Sequence, residues 1–378
     1  MSISHYFVRP TNGADIAGQG TTHMTAYKTT QFALNDIGGT HGRNTVDGDQ
    51  INICASVLEG PDVLAGPLSL ATYGIPTAVA PLILRGYTAI ANDGGRGAFT
   101  LTNNNGLWAA AYDYVSMLEL NVTGAVSVLA YLFSLGSYCY IRSCGFIAGG
   151  YSSGPTIASG VLIGNHTSGF GNQGLRLVSG LCFGNYLQSS SGTSPALQVM
   201  GIAHVFNNIV HLNATGKMGI DVGVQISDAI GNIVYNEAAG TNMGIKIGDS
   251  SGLQLGMAIN NIVCGFSGIG GVGISSGVLN AQSAGHNAFW NNTTNEYFGH
   301  SLIDNLGDDV ALTANPFTNA AGGDFSLTAA AQAALRSAGW PSSYLGANTD
   351  PHITIGAVQY GEGGGSGAIR RAMRILGG

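Results

Sequence analysis

Charge is scarce in this chain: across 378 residues, Asp, Glu, Lys and Arg together make up only 9%. The 13 basic residues are mostly scattered, so the cationic footprint that a phosphate backbone requires is missing and a nucleic-acid partner is not expected. Long apolar runs are missing too. The hydrophobic residues, 45% of the chain, fall into short stretches broken by Gly, Asn, Ser and Thr, and none is long enough to span a bilayer. Met1 to Gly20 has neither a basic start nor an apolar centre followed by small residues, so no secretory signal is expected there. Cysteine is limited to Cys54, Cys139, Cys144, Cys182 and Cys264, an odd number in strand-like apolar surroundings. Buried reduced thiols are expected ahead of a disulfide or metal site, and Cys139 and Cys144 lack the CxxC spacing of zinc ligands. The nine histidines form no HExxH or other close helical pair, so zinc hydrolysis has no support.

What the chain has is glycine, 60 residues of it, and a repeat. One phase places Gly before alternating apolar residues, as in Gly160-Val161-Leu162-Ile163, Gly219-Ile220-Asp221-Val222 and Gly244-Ile245-Lys246-Ile247. A second sets one polar residue between two apolar ones, as in Leu175-Arg176-Leu177, Leu197-Gln198-Val199, Val224-Gln225-Ile226 and Leu253-Gln254-Leu255. That alternation marks a strand with one wet face. The third reads Asn208-Ile209-Val210, Asn232-Ile233-Val234 and Asn261-Ile262-Val263. Taking Asn185, Asn208, Asn232, Asn261 and Asn287 as equivalent, the steps are 23, 24, 29 and 26 residues, which suits a coil of three short strands. Leucine-rich repeats share such a period, but their leucine spacing is absent and no helical segment lies between the strand phases. The expected fold is therefore all-β, a single-stranded right-handed parallel β-helix, whose stacked Asn residues form a structural ladder at bends that want the left-handed conformation.

The ends depart from the repeat and define four expected segments. Residues 1–50 hold the strand Tyr6-Phe7-Val8 and a capping segment, Thr25 to Ile37, with Phe32, Ala33, Leu34 and Ile37 at helical spacing. Residues 51–315 hold the coils. Residues 316–360 close the far end, with an Ala-rich, helix-permissive stretch from Leu327 to Gly339. Residues 361–378 hold a Gly-rich linker and a basic amphipathic tail, in which Ile369, Met373 and Leu376 would make one helical stripe beside Arg370, Arg371 and Arg374. The tail is expected to attach the protein to a partner.

Asp47-Gly48-Asp49-Gln50-Ile51-Asn52-Ile53, Leu82-Ile83-Leu84-Arg85-Gly86-Tyr87, Asn315-Pro316-Phe317 and Gly323-Asp324-Phe325-Ser326-Leu327 together resemble the opening and closing segments of the pectate-lyase-like superfamily of right-handed β-helix proteins. The resemblance implies the fold and several roles: polysaccharide lyases and hydrolases, bacterial surface proteins, and phage tailspikes or other virion proteins. Without a secretion signal or anchor, the expected role is a structural or surface-binding virion component, capsid-decorating or tail-associated, with possible polysaccharide binding. The alternative is an extracellular polysaccharide lyase or glycoside hydrolase. By analogy with tailspikes a homotrimer is expected.

No complete catalytic set is expected. Glycoside hydrolysis needs carboxylates facing one cleft, and the adjacent pair Asp308-Asp309 is read as a solvated turn because neighbouring strand residues diverge. Ile245-Lys246-Ile247 resembles the basic strand of polygalacturonases, but their Asn-Thr-Asp and Gly-His-Gly elements are absent. Asp221, Asp228, Lys246 and Asp249 are the lateral cluster that adjacent coils could bring together. Ca²⁺, with its appetite for roughly six or more oxygens, is conceivable there, yet the set is thin and no resident metal or cofactor is expected. For binding, Trp108, Tyr112 and Tyr114, with Tyr131, Tyr138 and Tyr140 nearby, are the candidate glycan or subunit contacts.

Overall fold

A computed structural model describes residues 3–339 except 55–58, 89–92, 94, 125–127, 150, 190–191, 193, 224–226, 239–241, 249–255, 277–281, 299–303 and 336–337. The chain divides into two units, Met1–Phe170 and Gly171–Gly378. Each is a stack of short parallel strands, and the fold is a right-handed parallel β-helix.

In the first unit, Ser4–Val8 pairs in parallel with Asp49–Cys54, and the stack continues through Leu82–Tyr87, Val115–Leu118, Cys139–Arg142 and Thr156–Ile163. A second stack runs from Asp62–Leu64 through Gly97–Leu101, Leu120–Gly124 and Gly145–Ile147 to His166–Phe170. Inward residues recur at every second position, so Ile51, Leu84, Met117 and Ile141 share one fully buried column with Phe99, Val122 and Phe146 on the other stack. The helix α1, Thr30–Asp36, is seven residues long, starting where the Thr29 hydroxyl accepts from Phe32 N–H at 3.3 Å. So short a helix is marginal alone. Packing holds it, with Ala33, Leu34 and Ile37 buried and Thr30 N–H donating to Asp62 Oδ2 at 2.8 Å. The helix gives way at Ile37–His41 to a wider turn in which a Cβ on Gly38 would lie 2.2 Å from Thr72 O.

The second unit has three strands per coil. The nine-residue strand Leu175–Phe183 pairs with both Leu197–Val199 and Ala203–Phe206, which split one sheet into two segments repeated in later coils. The third strand repeats as Tyr186–Ser189, Ile209–Leu212, Ile233–Asn236, Ile262–Cys264 and Ala288–Trp290. Here the Ile-Val doublets are buried on both faces. Val210, Val234 and Val263 alternate along their strands with Ile209, Ile233 and Ile262, and the latter three pack beneath a closing segment. That segment is an antiparallel pair, Phe317–Asn319 with Asp324–Leu327, followed by α2, Ala329–Leu335. Phe317, Phe325 and Leu335 cover the Ile column, with Phe325 edge-on to Phe317 and Tyr235. No described helix is long and apolar enough to cross a membrane.

Candidate functional site

The outward residues of the second unit form a polar row. Arg176, Gln198, Asp221 and Lys246 follow one another in strict register over successive coils, and the buried Ser275 takes the register position in the coil after Lys246. Their neighbours Leu197, Val199, Ile220, Val222, Ile245 and Ile247 are buried, so alternation turns the polar members outward. Asp221 Oδ1 lies 3.7 Å from Lys246 Nζ, and Gln198 Oε1 accepts from Gln173 Nε2.

A second row lies on the neighbouring strand of each coil, where His204 is in register with Asp228 and Asp228 with Met257. His204 Nδ1 is 2.8 Å from Asp228 Oδ2, the two side chains being 43% and 12% exposed. The imidazole also stacks on Phe206, with centroids 5.6 Å apart and planes 9° from parallel. An ionised Asp228 fixes the tautomer with the proton on Nδ1, leaving Nε2 as the ring's proton acceptor.

The cluster read from sequence therefore separates into pairs. Asp221 meets Lys246, whereas Asp228, on the strand Ser227–Ile230, meets His204, a residue that no motif points to. Asp249 lies outside the described residues, as do Ile369, Arg370, Arg371, Met373, Arg374 and Leu376 of the tail. Among the described residues, no three His, Cys, Asp or Glu side chains are grouped to hold a metal ion.

The Asn positions form a buried column in the second unit. Asn185 N–H donates to Asn208 Oδ1, Asn208 to Asn232, Asn232 to Asn261 and Asn261 to Asn287, at 2.9–3.0 Å. Each side-chain amide from Asn208 onward donates to a strand carbonyl of the preceding coil: Cys182, Val205, Ala229 and Ala258. The left-handed residue is not the ladder Asn but the one before it, as at Gly184, Asn207, Gly231, Asn260 and His286, all with positive φ. The ladder Asn is needed for its two-sided amide, and the left-handed turn belongs to its neighbour. Asp309 terminates the column by accepting from Asn287 N–H at 2.7 Å. Burial and the Asp309 carboxylate push the Glu296 carboxyl up to about 8. In the first unit, Cys144 N–H donates to Asn165 Oδ1 at 3.0 Å and Asn165 Nδ2 to Ile141 O at 3.1 Å, which adds a ladder position.

Lys217 and the cysteine thiols are also buried. Lys217 is 0% exposed and donates to the carbonyls of Gly171 and Asn172, and burial pushes its ammonium down to about 8. All five thiols are free and buried, and burial pushes Cys139 up to about 11 and Cys144 and Cys182 to about 12.

Of the aromatic residues, Trp108 is 4% exposed and belongs to the core, edge-on to Tyr112 at 5.7 Å, so it has no face to offer a ligand. Tyr112 is half-buried and accepts from Leu70 N–H through its hydroxyl. Tyr114 stacks on Tyr138 with centroids 4.8 Å apart and planes 7° from parallel.

No protein-family model and no curated protein matches this chain. Among solved structures, pectate lyase Pel9A superposes with a TM-score of 0.53 at 12% identity, covering 94% of this chain and 96% of that one. The Azotobacter vinelandii mannuronan C-5 epimerase AlgE6 A-module gives a TM-score of 0.31 at 11% identity, over 76% of this chain and 96% of that one. The likeness to Pel9A shows a shared parallel β-helix fold and says nothing of chemistry.

Proposed function

We propose that this protein binds polysaccharide along the outward face of its second unit, through the row Arg176, Gln198, Asp221 and Lys246 and the neighbouring His204–Asp228 pair. The observation that carries the reading is the register itself. Hydrogen-bonding side chains recur at each coil, about 4.8 Å apart, a spacing at which an extended sugar chain crossing the coils meets a donor or acceptor at every step. In this reading the protein works on a virion or outside the cell, where polysaccharides are met.

A second reading, a lyase or hydrolase, is favoured by one observation: His204 is oriented by Asp228 and half-exposed, which is the arrangement of a general base. One experiment separates the two. Purified protein is titrated calorimetrically with acidic and neutral polysaccharides while reducing ends and unsaturated products are followed. Binding that weakens about 10-fold in Asp221→Ala, without turnover, is expected. Unchanged binding in both Asp221→Ala and His204→Ala refutes the proposed face, whereas turnover abolished by His204→Ala establishes the enzymatic reading.

A further inference from the structure

The first unit carries a row of a different kind. On the strand Cys139–Arg142, Cys139 and Ile141 are buried, so Tyr140 and Arg142 turn outward, and Tyr138, one step before the strand, continues that row. Tyr138 is 68% exposed although its ring is large and apolar. One of its faces rests on Tyr114 in the preceding coil. On the other side, Cys139 pairs with Gly160, so the residue level with Tyr138 in the following coil is Ser159, too small to cover the ring. Tyr114 and Tyr138 both hold the left-handed conformation, at φ 53° and 59°, where Gly or Asn would sit without strain.

Arg142 ends the row. Glu119, in the turn beside it, is already held by Arg85 through Nε–H at 2.9 Å and an Nη2–H at 3.3 Å, and Arg142 reaches the same carboxylate only at 3.9 Å. Arg96, just before the strand Gly97–Leu101 of the preceding coil, donates to Asn121 Oδ1 at 3.2 Å. Two guanidinium groups, Arg85 and Arg142, thus share the one Glu119 carboxylate, in a chain with a net charge of −7.

We infer that Tyr138, Tyr140 and Arg142 form a second carbohydrate-binding row, specific for a saccharide bearing a carboxylate or sulfate. The open face of Tyr138 takes the apolar C–H face of a sugar ring, whose polarised hydrogens are drawn to the negative π-face. Arg142, four residues further along the chain, lies roughly 13 Å away at strand rise, about two sugar rings, and pairs its planar fork with the acidic group. This row stands independently of the face in the second unit, since no residue is shared.

The test uses the full chain and three probes: pectate for carboxylate, dextran sulfate for sulfate, and dextran as the neutral polymer, with affinities measured by calorimetry. Tyr138→Asn removes the ring while suiting the left-handed turn, so folding is kept. It should weaken the preferred acidic polymer about 10-fold with an unchanged or raised melting temperature. Arg142→Gln should bring the acidic polymer down to the affinity of dextran. Whichever acidic probe loses affinity identifies the group recognised. The proposal falls if the chain binds neither acidic polymer more tightly than dextran, or if Tyr138→Asn binds as the unaltered chain does. It also falls if Asp221→Ala alone abolishes binding, a result that would leave the second-unit face standing.

Discussion

Replacing Asn232 by alanine tests what the Asn column contributes. Asn232 is 0% exposed, its Oδ1 accepts from Asn208 N–H at 2.9 Å, and its Nδ2 donates to Val205 O at 2.9 Å. In Asn232→Ala the Asn208 N–H loses the acceptor it has in the turn and Val205 O loses a donor. Asn208 Nδ2 keeps Cys182 O, and Asn261 Oδ1 keeps Asn232 N–H. One buried backbone donor left unpaired costs about 1–3 kcal/mol and the weakened carbonyl about 1 more, so a loss of roughly 2–4 kcal/mol is expected. The void left by the amide adds to it if no water enters. Urea unfolding measures the loss, with the exposed Thr318→Ala as a control expected within about 0.5 kcal/mol of the unaltered protein. Asn232→Asp supplies a second reading: it keeps the acceptor but buries a carboxyl, whose folded pKa must rise, so the variant should be more stable at pH 5 than at pH 8. A cost for Asn232→Ala below about 1 kcal/mol would refute the reasoning, because the turn would then hold itself without the column.

Two other substitutions test the buried ionisable groups. Lys217 has its pKa lowered from 10.5 to about 8, so the unfolded chain holds the extra proton between those values and stability should rise with pH across that window. Lys217→Met should remove the rise, read as the difference in urea midpoint between pH 8 and 9.5; an unchanged slope overturns the assignment. Glu296 has its pKa raised from 4.5 to about 8, so the folded state holds the extra proton and its contribution should fall as pH climbs through that range. Glu296→Gln should flatten that decline, and a decline identical to that of the unaltered protein would refute it.

The repeat was legible because its strongest marks are chemical. A side-chain amide can both accept a backbone N–H and donate to a strand carbonyl of the preceding coil, so Asn recurs at Asn208, Asn232 and Asn261. Asn165 escapes the same reading because it stands 20 residues before Asn185, shorter than the other steps. Asp308 and Asp309 are both exposed between strands, as the solvated-turn reading expects; what an acid pair in sequence does not reveal is that Asp309 accepts from Asn287 N–H while Asp308 is left-handed, at φ 55°. The candidate site was only half legible. Asp221 and Lys246 carry the alternation of their strands, but His204 is joined to Asp228 by register between strands 24 residues apart, a relation that no local pattern encodes. Trp108 illustrates the converse, since an aromatic residue in a polar stretch says nothing of which way its ring turns.

The Asn column has a direction, and that direction bears on how such a chain can change length. Every backbone N–H in it points toward the next coil, so an internal link begins and ends alike. In the first unit Cys144 occupies a ladder position and its thiol donates to Met117 O, as Asn165 Nδ2 does to Ile141 O one coil later; the thiol supplies the donor half of an amide. In the second unit Asp309 supplies the acceptor half. A duplicated or deleted coil between Asn185 and Asn287 would leave every remaining amide matched, whereas extension past Asp309 would set a carboxylate where an amide donor is required. Gene-level gain and loss of repeats is thus chemically silent in the middle of the column and punished at its end.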